Sequence, residues 1–167
     1  MVQVARPDHA VVMSAPLVLL VDPRRDFRDA FKLAARGSLR VLAFPDITAA
    51  LGALDRHHPT AVVASMAQAR QQTTGAQLCS AAKETLHEGL FIAYGLDHDG
   101  RPLTASSARA AQDECGLDNL LVDDVPASDL VGVVTQSLGI DAAKTARSGT
   151  GLVRKLRLAF GGKTAEA

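Results

Sequence analysis

At 167 residues, with 47% hydrophobic and 22% charged side chains, the chain has the make-up of one folded domain with an appended segment, and disordered or fibrous classes are excluded. No apolar run approaches a membrane span, and Arg6, Asp8 and His9 precede the first apolar stretch, the wrong order for a secretory signal; a cytoplasmic protein is expected. Net charge is zero, yet residues 142–167 hold six bases and one acid (+5) while residues 1–141 hold 12 bases and 17 acids (−5), so an acidic body carries a basic tail.

After an N-terminal extension (1–14), strand and helix patterns alternate through 15–140. "LVLLV" (17–21) is continuously apolar, as a strand buried on both faces requires. Phe27, Ala30, Phe31 and Ala34 then recur at helical spacing, with Gly37 as the stop. "RVLAF" (40–44) predicts a second strand, and Asp46 caps a helix whose apolar face is Ile47, Ala50, Leu51 and Leu54. His57 and His58 before Pro59 read as a solvated helix end. "TAVVAS" (60–65) predicts the third strand, followed by a polar loop, "MAQARQQTTG", and a helix marked by Leu78, Cys79, Ala82 and Leu86 that closes at Gly89. "LFIAYG" (90–95) predicts the fourth strand. "DHDG" (97–100) lacks the further acids and closing Glu of a calcium loop and reads as a polar turn. Thr104, Ser106 and Ser107 start an Ala-rich helix, "NLLV" (119–122) is the fifth strand, and a last helix runs from Asp129 through Leu130, Val133, Val134 and Leu138.

Five βα units with short connections predict an α/β fold: a five-stranded parallel sheet of order 2-1-3-4-5 with helices on both faces. In that order the C-terminal ends of strands one, three and five surround one crevice, where such folds bind ligands. Cys79 and Cys115 show no metal or redox spacing and are expected as small buried helix residues. No glycine-rich fingerprint follows the first strand, so no dinucleotide or other cofactor is expected.

The order of "VLLVD" with Arg28 and Phe31, "PTAVVAS", "GAQLC" and "LLVDDVPASDLVGVV" resembles the response-regulator receiver family over roughly residues 15–139. The resemblance implies a flavodoxin-like receiver fold with two acids after the first strand, a phosphoacceptor Asp after the third, a Ser or Thr after the fourth and a Lys after the fifth. The matching positions here are Asp22, Pro23, Ser65, Gly95 and Asp123, so only the first acid is kept. Acyl phosphate formation needs a carboxylate beside a divalent cation, and residues 60–75 contain no acid at all. Asp123 in place of Lys opposes an incoming phosphoryl group; two charges about 4 Å apart at an effective dielectric near 20 interact by ~4 kcal/mol. The pocket is therefore expected to be degenerate, with no metal and no catalysis. Either an arginine, Arg24 or Arg70, bridges Asp22 and Asp123, the favoured case because its planar fork can hold two carboxylates, or the two acids splay into water.

The function expected is that of a non-phosphorylatable pseudo-receiver, a protein–protein interaction module in bacterial two-component signalling or cell organisation; the alternative is a flavodoxin-like sensor that binds a small ligand in the crevice. The resemblance implies protein partners, with homodimerisation through the fourth helix, fifth strand and fifth helix. In the tail (141–167), Leu152, Val153, Leu156 and Phe160 share one helical face opposite Arg154, Lys155 and Arg157, between hinge-like "SGTG" and "GG". That pattern predicts a docking segment for a partner, for its own domain or, weakly, for an anionic membrane surface. Specific nucleic-acid binding is not expected, because no DNA-binding motif follows residue 140.

Overall fold

The structure is a computed structural model that describes residues 14–67, 74–97 and 99–140. Its elements run β1 (Leu17–Val21), α1 (Arg25–Ala34), β2 (Arg40–Phe44), α2 (Ile47–His57), β3 (Ala61–Ser65), α3 (Gly75–Leu86), β4 (Leu90–Tyr94), α4 (Ala105–Cys115), β5 (Asn119–Leu121) and α5 (Ala127–Ser137). All strands pair in parallel in the order β2-β1-β3-β4-β5, which is the predicted sheet. None of the described helices is long and apolar enough to cross a membrane.

The continuous apolar strands divide between two cores by the two-residue period of a strand. Leu19, Val21, Val62, Ala64, Phe91, Ala93 and Leu120 face the layer of α2, α3 and α4. Val18, Leu20, Val63, Ile92, Tyr94 and Leu121 face Phe31, Leu130, Val131 and Val134 of α1 and α5. Five consecutive buried residues in β3 show why this central strand carries no polar side chain until Ser65 at its end.

Local chemistry sets the boundaries, and several move by a residue or two from the sequence reading. Asp46 accepts from the Ala49 N–H, as predicted. Thr74 and Gln77 form a reciprocal capping box, so α3 begins at Gly75, inside the stretch read as loop. β4 stops at Tyr94 because Gly95 takes a left-handed φ of +96°, and β5 stops at Leu121. α5 starts two residues before Asp129, behind Pro126. His58 caps α2 in the left-handed region and is exposed, as a solvated helix end should be. Cys79 is buried, and burial pushes its thiol pKa up; Cys115 is only half-buried, because it ends α4 at the rim of the core, which corrects the expectation that both are buried.

The close approach of α3 to the end of β3 depends on one glycine. A Cβ at Gly75 would lie 2.2 Å from the Ser65 carbonyl oxygen, inside any real contact distance, and the clash is with backbone. Gly132, inside α5, has nothing within 4 Å of its would-be Cβ. Gly75→Ala should therefore lower stability by about 2 kcal/mol or more, whereas Gly132→Ala should raise it by about 0.5–1 kcal/mol through helix propensity. Urea midpoints of the two variants check both signs.

Candidate functional site at the C-terminal ends of the strands

Asp22 follows β1 directly and is wholly buried, with 0% of its surface exposed. A buried carboxylate needs donors for its lone pairs, about four sites on two oxygens. Four donors are present. Oδ1 accepts from the Arg24 backbone N–H at 2.7 Å and from Arg24 Nε at 3.1 Å. Oδ2 accepts from Arg24 Nη2 at 2.9 Å and from the Tyr94 hydroxyl at 2.6 Å. The remaining arm of the guanidinium, Nη1, donates to Asp124 Oδ1 at 3.0 Å.

Arg24 thus ties the β1–α1 connection to the β5–α5 connection through two carboxylates. Its planar group sits 4.5 Å from the centroid of Phe27, and Phe27 in turn stacks on Tyr94 with centroids 5.4 Å apart. The hydrogen bonds to Asp22 raise the Arg24 pKa above its ordinary value and outweigh the partial burial that lowers it. Arg28 supports the same turn from below, donating Nη1 to the carbonyl oxygens of Asp22 (2.7 Å) and Pro23 (3.1 Å). An arginine bridge is therefore present in Arg24, but it reaches Asp124 rather than the expected Asp123. Asp123 is exposed and, among the described residues, forms no ion pair with Arg24. Arg70 lies outside the described residues.

Sheet register explains how Tyr94 reaches Asp22. Ser65 pairs with Tyr94, and Val21, just before Asp22, pairs with Ala64. Asp22, Ser65 and Tyr94 therefore stand in one row across β1, β3 and β4, two strand spacings or about 9.5 Å from end to end. The phenol and the carboxylate bridge that span together, over the small serine. Ser65 Oγ donates to the Ala67 carbonyl oxygen at 3.2 Å. Gly95 lies beside it; a Cβ there would come within 3.8 Å of Ser65 Oγ. The structure brings Asp22, Pro23, Ser65 and Gly95 to one end of the sheet, with Asp123 at its exposed margin. The hydrophobic pattern marks Tyr94 only as part of a core strand, although a tyrosine in a fully buried strand signals a partner for its hydroxyl. The tail residues Leu152, Arg154, Lys155, Leu156, Arg157 and Phe160 lie outside the described residues.

The receiver family holds a divalent cation at this position, and the residues present do not fit one. Pro23 offers no ligand, Ser65 replaces a carboxylate, and the four donors on Asp22 occupy the oxygens an ion would need. No cluster of three or more histidine, cysteine or acidic side chains suited to a metal occurs among the described residues.

The chain is similar to the response regulator DrrB of Thermotoga maritima, an OmpR/PhoB homolog, at 18% identity and a TM-score of 0.63, covering 75% of this chain and 54% of that one. It is similar to a CheY-like receiver domain protein of Methanospirillum hungatei (14% identity, TM-score 0.63, 75% of this chain and 95% of that one). It is also similar to the chemotaxis protein CheY4 of Vibrio cholerae (13% identity, TM-score 0.62, 74% and 98%). The chain spans about half the length of the DrrB chain and nearly all of the single-domain receivers. The fold is that of a response-regulator receiver domain. No family profile matches the chain, and no curated protein matches it in sequence.

Tyr94 is the chain's single tyrosine and there is no tryptophan, so its ionisation can be read alone. Burial raises its pKa first and foremost, and the Asp22 charge raises it further. A phenol held protonated in the folded state contributes stability that is intact below the ordinary pKa of about 10 and is lost as pH climbs above it, because the unfolded chain then gives up the proton first. Near-ultraviolet tyrosinate absorbance should therefore appear above pH 10 only in step with loss of helical circular dichroism; tyrosinate in a still-folded protein would contradict the buried hydrogen bond.

Proposed function

We propose that this chain is a pseudo-receiver: a receiver-fold protein that does not accept phosphate and works as a protein–protein interaction module in signalling or cell organisation. The observation that carries the reading is the saturation of Asp22 by Arg24 and Tyr94. In a working receiver the corresponding acid coordinates magnesium; here that capacity is spent on in-chain donors beneath zero solvent exposure. Serine needs a base to become a nucleophile. Asp22 already accepts four hydrogen bonds, and the Ser65 hydroxyl donates to a backbone carbonyl. Asp123 adds negative charge at the rim, against an arriving phosphoryl group.

The same packing argues against the alternative, a small-ligand sensor using the crevice, because Arg24 stacked on Phe27 and bonded to Asp22 and Asp124 spans the place a ligand would take. Partner recognition then falls to outer surfaces, with α4, β5 and α5 as the face that the receiver resemblance implies.

Incubation with acetyl phosphate and magnesium, followed by intact mass measurement, tests the proposal. The expected result is an unmodified protein. A stoichiometric gain of one phosphate that disappears in Ser65→Ala would overturn it.

A further inference from the structure

The charges of the described domain are distributed unevenly. Residues 74–140 carry ten acids (Glu84, Glu88, Asp97, Asp99, Asp113, Glu114, Asp118, Asp123, Asp124, Asp129) and three bases (Lys83, Arg101, Arg109), a net of −7. Within them, the stretch 105–137 that forms α4, β5 and α5 holds six of those acids and the single base Arg109, a net of −5. α5 contains no basic side chain.

This face is also thinly covered. α4 buries one residue, Ala108, and exposes Ser106, Arg109, Ala110, Asp113 and Glu114. On α5, Gly132 and Val133 are half-buried and Gln136 is exposed, with open space where a Gly132 side chain would be. An isologous dimer sets a patch against its own copy. Here that would oppose two faces whose own residues sum to −5, offset on each, among the described ion pairs, only by the Arg24 pairing with Asp124, and such faces repel. A second copy is the wrong occupant. A basic, partly apolar segment is the right one, and the chain has such a segment: residues 142–167, net +5, with Leu152, Val153, Leu156 and Phe160 at helical spacing.

We propose that residues 142–167 dock on the α4–β5–α5 face of their own domain, so that the segment occupies the partner surface until a competing basic ligand displaces it. The connection permits this. The 11 residues 141–151 ahead of Leu152 can span up to about 36 Å, so the apolar part of the segment can reach any point along the 11-residue α5, about 16 Å long. The inference rests on the charges of these elements and stands whether or not Ser65 accepts phosphate, so its failure and the failure of the pseudo-receiver reading are separable.

Carbodiimide cross-linking of the full chain, which joins lysine amines to carboxylates at zero length, tests the docking. Within the monomer, Lys144, Lys155 or Lys163 should be linked to Asp113, Glu114, Asp118 or Asp129. The yield should fall about tenfold in Arg154→Glu/Arg157→Glu, which keeps Lys155 available, and likewise in about 0.5 M salt, where surface charges are screened. A mixture of isotope-labelled and unlabelled chains distinguishes links within a chain from links between chains. Mixed-label links alone, links spread equally to Asp26, Asp29 and Asp55 on α1 and α2, or no links would each overturn the proposal.

Discussion

A carboxylate can sit with no solvent exposure at the end of a parallel strand only if its oxygens find donors, and the rest of this site is arranged around that requirement. Asp22 is the group that demands it, and Arg24 and Tyr94 meet it. Arg24 arrives from the turn immediately after Asp22, so the pairing costs little chain entropy. Tyr94 arrives from two strands away and needs the intervening position to be small, which Ser65 satisfies. Phe27 then fills the space beside both by stacking on the guanidinium and on the phenol ring. Removing Arg24 or Tyr94 leaves a buried charge short of a partner, a loss of about 1–3 kcal/mol or more for each hydrogen bond to a charged group.

On the proposed reading, the consequence for function is a site held in one arrangement. A switchable receiver draws its change of state from a cation and a phosphoryl group that come and go among the strand ends. In the proposed reading the cationic role at the strand ends is taken by a covalently attached guanidinium, raised in pKa and so always charged. Arg24 also reaches Asp124 in the β5–α5 connection, so the two loops flanking the crevice are joined without any ligand. Pro23 belongs to the same account: its side chain cannot act as a ligand, and its carbonyl oxygen accepts from Arg28, which braces the turn.

Much of the fold was legible in the sequence because burial on both sheet faces produces runs such as "LVLLV", and because helix starts at Asp46 and Thr104 have local chemical causes. The element boundaries that moved depend on less visible causes: the capping box that starts α3 at Gly75, and the left-handed turn at Gly95. At the site, the need for an arginine followed from two acids without a lysine. The choice of Asp124 over Asp123 did not, because both acids lie beyond the last apolar residue of β5, where the hydrophobic pattern no longer sets the register. Tyr94 was hidden by its position in a strand otherwise made of Leu, Phe, Ile and Ala. Its signal was chemical rather than periodic: a buried hydroxyl and a buried carboxylate, each requiring the other.

The central claim is that in-chain donors have replaced the cation at Asp22, and titration calorimetry with magnesium, manganese and calcium on the intact chain tests it most directly. The account predicts no binding heat for any of the three at concentrations up to about millimolar, the range in which weak protein cation sites fill. Binding in that range that disappears in Asp22→Ala would show that the carboxylate is still a metal ligand, and would contradict the account.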